Sequence, residues 1–227
     1  MNIFAVIILA ALLADFSLNL IGDLCNLRSL TGKLPAEFSN MVDRQTYRES
    51  QHYTRVNTVF GQITSAFNLV LILAVWFGGG FNYLDNFIRS LGLHPIWNGL
   101  LFIGILVTMR LLLSLPFSLY KTFVIEEKFG FNETTPATFA ADIIKGALLG
   151  IIIGGPLTAG ILALFQYAGP WAWLYCWIAV TLFSLFIQYV APRWIMPLFN
   201  KFTPVEDESL REKILAYADR VDYNISG

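Results

Sequence analysis

The sequence is poor in charge, cysteine and histidine, and each shortage closes off a class of chemistry. Asp, Glu, Lys and Arg together make up 14% of the 227 residues, and the net charge is −1. No basic excess exists to neutralise phosphates, so nucleic acid is excluded as a partner. The two cysteines, Cys25 and Cys176, fall near opposite ends of the apolar runs described below and cannot pair. The two histidines, His52 and His94, lie in different loops on opposite sides of those runs and cannot share a metal ion. Each reads as an ordinary polar or helix-flanking residue. No Gly-rich phosphate loop, nucleophile elbow or C-x-x-C occurs.

What the chain has in abundance is apolar sequence. It is 56% hydrophobic, with a mean hydropathy of +0.60, outside the range of soluble globular domains. A membrane helix needs about 20 residues to cover ~30 Å of hydrocarbon. Five runs reach that scale: Ile3–Leu24, Ile63–Phe81, Trp97–Leu119, Gly146–Tyr167 and Trp171–Val190. Leu12-Leu13-Ala14 loosely matches a signal-peptide cleavage site. The missing basic n-region and the continuing apolar run favour a retained span. The fold class is therefore all-α, a polytopic bundle of about five transmembrane helices in a lipid bilayer.

The loops orient the bundle. Of the 15 Lys and Arg residues, 13 lie on one side, in the first and third connections and after the fifth span. The other side has Arg89 alone, and Arg110 falls inside a span. The positive-inside rule puts the N-terminus outside and the C-terminus in the cytoplasm. Asn132-Glu133-Thr134 and Asn224-Ile225-Ser226 match the glycosylation sequon but then face the wrong compartment. Trp171, Trp173, Tyr175 and Trp177 crowd the outer start of span five as an interfacial belt.

Polar groups inside spans are costly, at least ~2.5 kcal/mol for an arginine, and hence informative. Asp15 and Asn19 share a face of span one; Arg110 and Ser114 share one of span three, at a depth similar to Asp15. Ser65 and Asn68 sit in the inner part of span two, Ser184 and Gln188 in that of span five. Two readings stand side by side: a buried Asp15–Arg110 pair holding the bundle together, or a hydrated chamber open toward the cytoplasm. Gly146, Gly150 and Gly154 form a small-residue stripe suited to close packing inside the bundle, with a dimer interface as the alternative. Gly155-Pro156 predicts a local kink.

Outside the spans, a cytoplasmic helix is expected to begin at Pro35, pack through Phe38, Met41, Val42, Val56, Val59 and Phe60, and run on into span two. Its bland role is packing against neighbouring spans; the sharper one is a wall over a substrate entrance. In the 120–142 loop, Glu126 and Glu127 are adjacent and point in different directions, which argues against an acid/base pair. Thr135-Pro136 starts the next helix. Pro192 and Pro197 are expected to end span five. Thr203, Pro204 and Glu206 then read as a helix start, with Leu210, Ile214, Tyr217 and Val221 on one apolar face.

Three stretches also carry a resemblance. P-L-F-N-K-F-T-P-V-E-D at 197–207, L-P-A-E-F at 34–38 with the Tyr47–Gly61 segment behind it, and E-E-K-F-G-F-N-E-T-T-P at 126–136 resemble the CAAX prenyl protease 1 family. These are integral-membrane zinc metalloendopeptidases. The resemblance implies a water-filled chamber among the helices and peptide or protein substrates, prenylated CAAX tails in eukaryotes and a wider range in bacteria. It implies the endoplasmic reticulum membrane in a eukaryote or the inner membrane in a bacterium. It also implies zinc held by H-E-x-x-H and a distant Glu, with the motif's own Glu activating water. That motif is absent here, so no catalytic or metal residue carries over, and it is expected beyond Gly227. The expected layout is a membrane domain over 1–191 and a hinge with the start of a soluble catalytic domain over 192–227. The alternatives are a non-catalytic membrane scaffold and, with less to support it, a small transporter using Asp15 and Arg110 as a relay.

Overall fold

The computed structural model describes residues 2–31, 34, 43–200, 207–221 and 223. All elements among the described residues are helical. Five helical stretches are long and apolar enough to cross a membrane: Ile3–Ser29, Arg44–Phe77, Pro95–Glu126, Pro136–Tyr167 and Gly169–Phe199. Almost none of their apolar side chains is buried inside the chain. Lipid is the solvent for those surfaces, so a large aqueous-type core is not needed.

The chain forms two compact units, Met1–Leu162 and Ala163–Gly227. In the first, α1 (Ile3–Ser29) opens on Asn2, whose side chain accepts the Ala5 N–H at 2.9 Å. It packs along α2 (Arg44–Phe77), which is capped by Asp43 through the N–H groups of Gln45 and Thr46. This helix runs unbroken for 34 residues, or about 51 Å, well beyond the hydrocarbon thickness. The helix does run on into span two, but it begins at Arg44: the extended backbone of Asp43 caps it there, so it is not continuous with a helix begun at Pro35. Pro35, Phe38, Met41 and Val42, where that helix was expected to begin, lie outside the described residues.

Gly79, with φ +72°, turns the chain into α3 (Gly80–Arg89). This ten-residue amphipathic helix was not anticipated, being too short for a span. Its Ile88 is 1% exposed, and its polar side holds an Asp85–Arg89 ion pair at 2.7 Å. Then α4 (Pro95–Tyr120) starts on a His94 cap with proline at its first position. It widens into a π-helical turn, Lys121–Glu126.

That turn ends in a Schellman motif. The Phe131 N–H donates to the Glu126 carbonyl at 2.9 Å and the Gly130 N–H to the Glu127 carbonyl at 3.1 Å. Gly130 takes φ +72°. The connection to the next helix is thus short, and α5 (Pro136–Leu149) begins on Thr135, which accepts the Thr138 N–H at 3.1 Å. Span four starts ten residues earlier than hydropathy alone suggests.

A second π-helical turn, Gly150–Gly154, joins α5 to α6 (Gly155–Tyr167) two residues before Pro156, where a kink was expected. The glycine stripe does not pack as expected. A Cβ on Gly146, Gly150 or Gly154 would meet nothing within 4 Å. The close helix approach is made instead at Gly99, where a Cβ would lie 2.7 Å from the Leu162 side chain. Four-residue spacing gives a smooth face, but no atom of the described residues comes within van der Waals reach of it.

In the second unit, a 3₁₀ turn, Gly169–Trp171, leads into α7 (Ala172–Val190), where Ala172 and Cys176 are buried. Trp171, Trp173, Tyr175 and Trp177 are exposed at its start, as a belt requires. Pro192 does not end the helix, which stops at Phe199, two residues past Pro197. The chain passes through a third π-helical turn, Ala191–Ile195, into α8 (Met196–Phe199). The Met196 N–H donates to the Ala191 carbonyl, one residue further back than in an α-helix. The wider turn accommodates a ring that an α-helical ladder would reject. Residues 201–206, including Lys201 and the expected helix start at Thr203, Pro204 and Glu206, lie outside the described residues. The last helix, α9 (Glu208–Arg220), begins on Asp207, whose carboxylate accepts the Leu210 N–H at 3.2 Å. Its apolar residues Leu210, Ile214 and Tyr217 are exposed.

Two glycine substitutions test these backbone assignments. Gly130→Ala forces a Cβ into the left-handed region and should destabilise by about 1 kcal/mol. Gly146→Ala, in open helical space, should be neutral or stabilise by up to ~1 kcal/mol. Denaturant unfolding of the purified chain in detergent measures both. A loss at Gly146 as large as that at Gly130 would mean that a helix packs on the stripe after all.

Candidate functional site

The polar residues singled out within the spans are all exposed on the chain: Asp15, Asn19, Asn68, Arg110, Ser114 and Gln188. The structure brings Asp15 and Asn19 together, with the Asn19 amide donating to the Asp15 carbonyl at 2.9 Å and to its carboxylate at 3.2 Å. Ser114 donates to the Leu111 carbonyl at 2.9 Å. Among the described residues the ion pairs are Arg89–Asp85 and Lys145–Asp142, and Asp15 and Arg110 do not pair. Arg110 therefore stands in a span with its charge uncovered by an acid of the described chain.

A second polar centre escapes sequence reasoning. The Tyr53 hydroxyl sits 2.9 and 3.0 Å from the two carboxylate oxygens of Glu126, across 73 residues of chain. It links the part of α2 that projects beyond span two to the π-helical turn after α4. Aromatic rings surround the link. Tyr53 meets Phe129 edge-on at 5.1 Å and Phe131 at 4.9 Å, and the His52 ring lies 5.3 Å from Phe129. Phe123 of the π turn meets Phe139 of α5 edge-on at 5.5 Å. Such contacts contribute roughly 0.5–1.5 kcal/mol each beyond area burial.

The two adjacent glutamates do diverge. Glu126 takes the phenol, while Glu127 accepts the Asn132 amide at 2.8 Å. Asn132 in turn accepts the Thr134 N–H at 2.9 Å. The E-E-K-F-G-F-N-E-T-T-P stretch is thus a structural device: one acid fastens α2, the other shapes the loop, and Gly130 makes the turn between them.

Beside this link lies a groove of about 570 Å³. Val56, Val59 and Ile63 of α2 form one wall, and Phe117 and Tyr120 of α4 with Ile125 the other. Phe60 closes it by stacking on Tyr120 at 5.4 Å. Arg55 is the one charged residue among those lining it.

Zinc, which the resemblance implies, does not fit the residues present. Among the described residues no three His, Cys, Asp or Glu side chains come together as metal ligands. His52 leans on Phe129, and His94 caps α4 by accepting the Ile96 N–H at 3.4 Å. Cys25, exposed, and Cys176, buried, are not joined in a disulfide.

The Glu126 carboxylate, by accepting the phenol's hydrogen bond, raises the Tyr53 pKa above its usual value, and burial adds to the rise. A raised pKa means that this contribution to stability is complete below the ordinary tyrosine value of about 10. It is lost as pH climbs through the higher folded value. Tyr53→Phe should cost about 1 kcal/mol at neutral pH, the net worth of one hydrogen bond. In alkaline absorbance titrations, the difference between wild type and Tyr53→Phe should show a phenol ionising later than the other tyrosines. Ionisation at the ordinary value would mean that the bond is not made in solution.

Comparison with known proteins agrees with this architecture. A family model described as the CAAX prenyl protease N-terminal region, five membrane helices, matches residues 24–201. The chain is 34% identical over 209 residues to a CAAX prenyl protease 1 homolog of Arabidopsis thaliana, covering 87% of this chain and 49% of that protein. It is 32% identical over 204 residues to CAAX prenyl protease 1 of Saccharomyces cerevisiae, covering 84% and 44%. The crystal structure of S. mikatae Ste24p superposes with a TM-score of 0.89 at 31% identity, covering 100% of this chain and 54% of that one. The chain spans about half the length of the curated relatives it matches. It belongs to the CAAX prenyl protease family, and what it carries is that family's N-terminal region of five membrane helices.

Proposed function

We propose that this membrane region serves a zinc-dependent metalloendopeptidase that cleaves peptide bonds of membrane-associated or prenylated CAAX-type proteins, in the endoplasmic reticulum of a eukaryote or the inner membrane of a bacterium. The observation that carries the reading is likeness in both sequence and fold along the whole chain to Ste24p. The role assigned to this chain is enclosure. Asp15, Asn19, Asn68, Arg110 and Ser114 line a hydrated chamber, with the N-terminus outside and the C-terminus cytoplasmic. An Arg110 that lacks an acidic partner among the described residues supports a chamber over an internal ion pair, because a bare charge in a span needs water. The metal ligands and the water-activating acid are assigned to sequence other than these 227 residues.

Reading the gene past residue 227 and assaying its full product is the direct test. An H-E-x-x-H with about one zinc per chain and zinc-dependent cleavage of a farnesylated peptide is the expected outcome. A stop codon together with a purified product that binds no zinc would leave a membrane scaffold instead.

The chamber and the topology have their own readout in a background with Cys25 and Cys176 replaced by serine. A small water-soluble thiol reagent should modify Arg110→Cys and spare Leu112→Cys, which is on the opposite side of α4. Equal protection of both would mean that Arg110 does not face water. A membrane-impermeant maleimide should reach Ser90→Cys in sealed cells and Arg48→Cys only after permeabilisation. The reverse order would invert the topology.

A further inference from the structure

We propose that the groove between α2 and α4 is a binding site for an anionic phospholipid, with one acyl chain in the groove and the headgroup phosphate on Arg55. The lining is apolar and aromatic along its length, and Arg55, itself exposed, is its charged lining residue. A slot of about 570 Å³ lies within the range of sites that take hydrocarbon-sized ligands. Its lining comes from two membrane helices, Ile63 and Phe117 belonging to spans two and three. An acyl chain can therefore enter sideways without leaving the bilayer.

The charge around Arg55 identifies the headgroup. At 100° per residue, Arg44, Arg48 and Arg55 fall within about 40° of one another on α2. All three are exposed, and none has an ion-pair partner among the described residues. The acids nearest in sequence are otherwise engaged: Asp43 accepts from the Gln45 and Thr46 N–H groups at 3.2 Å, and Glu49 accepts from the Gln45 amide at 3.1 Å. An arginine ridge rising from the mouth of an apolar groove complements a phosphate attached to a hydrocarbon chain. A zwitterionic lipid would satisfy the groove but add no net attraction to the ridge. Arginine suits the role because its planar guanidinium binds phosphate through two parallel hydrogen bonds. The Tyr53–Glu126 bond braces the site by holding α2 to the π turn that supplies Ile125.

Native mass spectrometry of the 227-residue chain, released from nanodiscs of equal phosphatidylglycerol and phosphatidylcholine, tests the assignment. Wild type should retain phosphatidylglycerol preferentially. Arg55→Gln should lower that preference about fivefold, the usual worth of one basic residue at an anionic surface, and leave phosphatidylcholine retention unchanged. Val59→Trp, which fills the groove, should lower retention of both lipids; Val59→Phe is the milder substitute if the tryptophan variant does not fold. Unchanged melting of Arg55→Gln separates binding from stability. The proposal is overturned if Arg55→Gln keeps the full preference, or if groove filling leaves retention untouched. It is equally overturned if only the Arg44→Gln, Arg48→Gln double variant removes the preference, since that describes diffuse surface attraction. Displacement of the lipid by a farnesylated peptide in wild type, absent in the groove-filled variant, would make an isoprenyl chain the occupant.

Discussion

A peptide group in hydrocarbon has no water to bond, and each unpaired N–H or carbonyl there costs several kcal/mol. Every span of this protein is shaped by that demand, and its prolines are where the demand is hardest to meet. Pro156 comes two residues after one π-helical turn and Pro192 lies inside another. Pro116 lies in α4 less than two turns before the third. Each proline removes an N–H and crowds the carbonyl one turn back. A widened turn relieves the crowding and keeps most of the backbone paired, so the helix continues where a soluble helix would have stopped.

The same economy explains where side-chain polarity is spent. Within the spans, Thr64, Thr108 and Thr181 donate to carbonyls four residues back, and Ser114 to one three back, which hides their hydroxyls from lipid. Side chains too large to hide in this way, Arg110 above all, need an environment that lipid cannot supply. The long-range polar contact that organises the first unit is placed beyond the span proper, where Tyr53 reaches Glu126 amid phenylalanines. There a carboxylate can be partly desolvated while its neighbour, Glu127, stays at the surface.

Features governed by local rules were legible in the sequence. Hydropathy located the five spans, and Thr135-Pro136 marked the start of α5 through its cap. Divergence of Glu126 and Glu127 followed from helical angles alone. One misreading comes from applying an α-helical rule where the ladder changes step. Pro192 looked like a terminator because that rule assumes bonds four residues back. The glycine stripe looked like a packing face because spacing says nothing about whether a neighbour arrives. No periodicity could relate Tyr53 to Glu126, and α3 is too short for a hydropathy window to register. The six polar candidates were found by their cost in lipid, a signal that marks a residue as needing a partner but does not name one.

The unbroken course of α2 has a mechanical consequence. Because no glycine turn or proline interrupts its 34 residues, the membrane-facing and projecting halves share one axis and cannot rotate independently. A single residue inserted between Asn57 and Ile63 would turn everything on one side by about 100° relative to the other. The arginine ridge would leave the groove mouth, and Tyr53 would swing away from Glu126, with no change in composition or hydropathy. The length of this segment is thus held like the phase of a gear, and substitutions should be tolerated there far better than insertions or deletions.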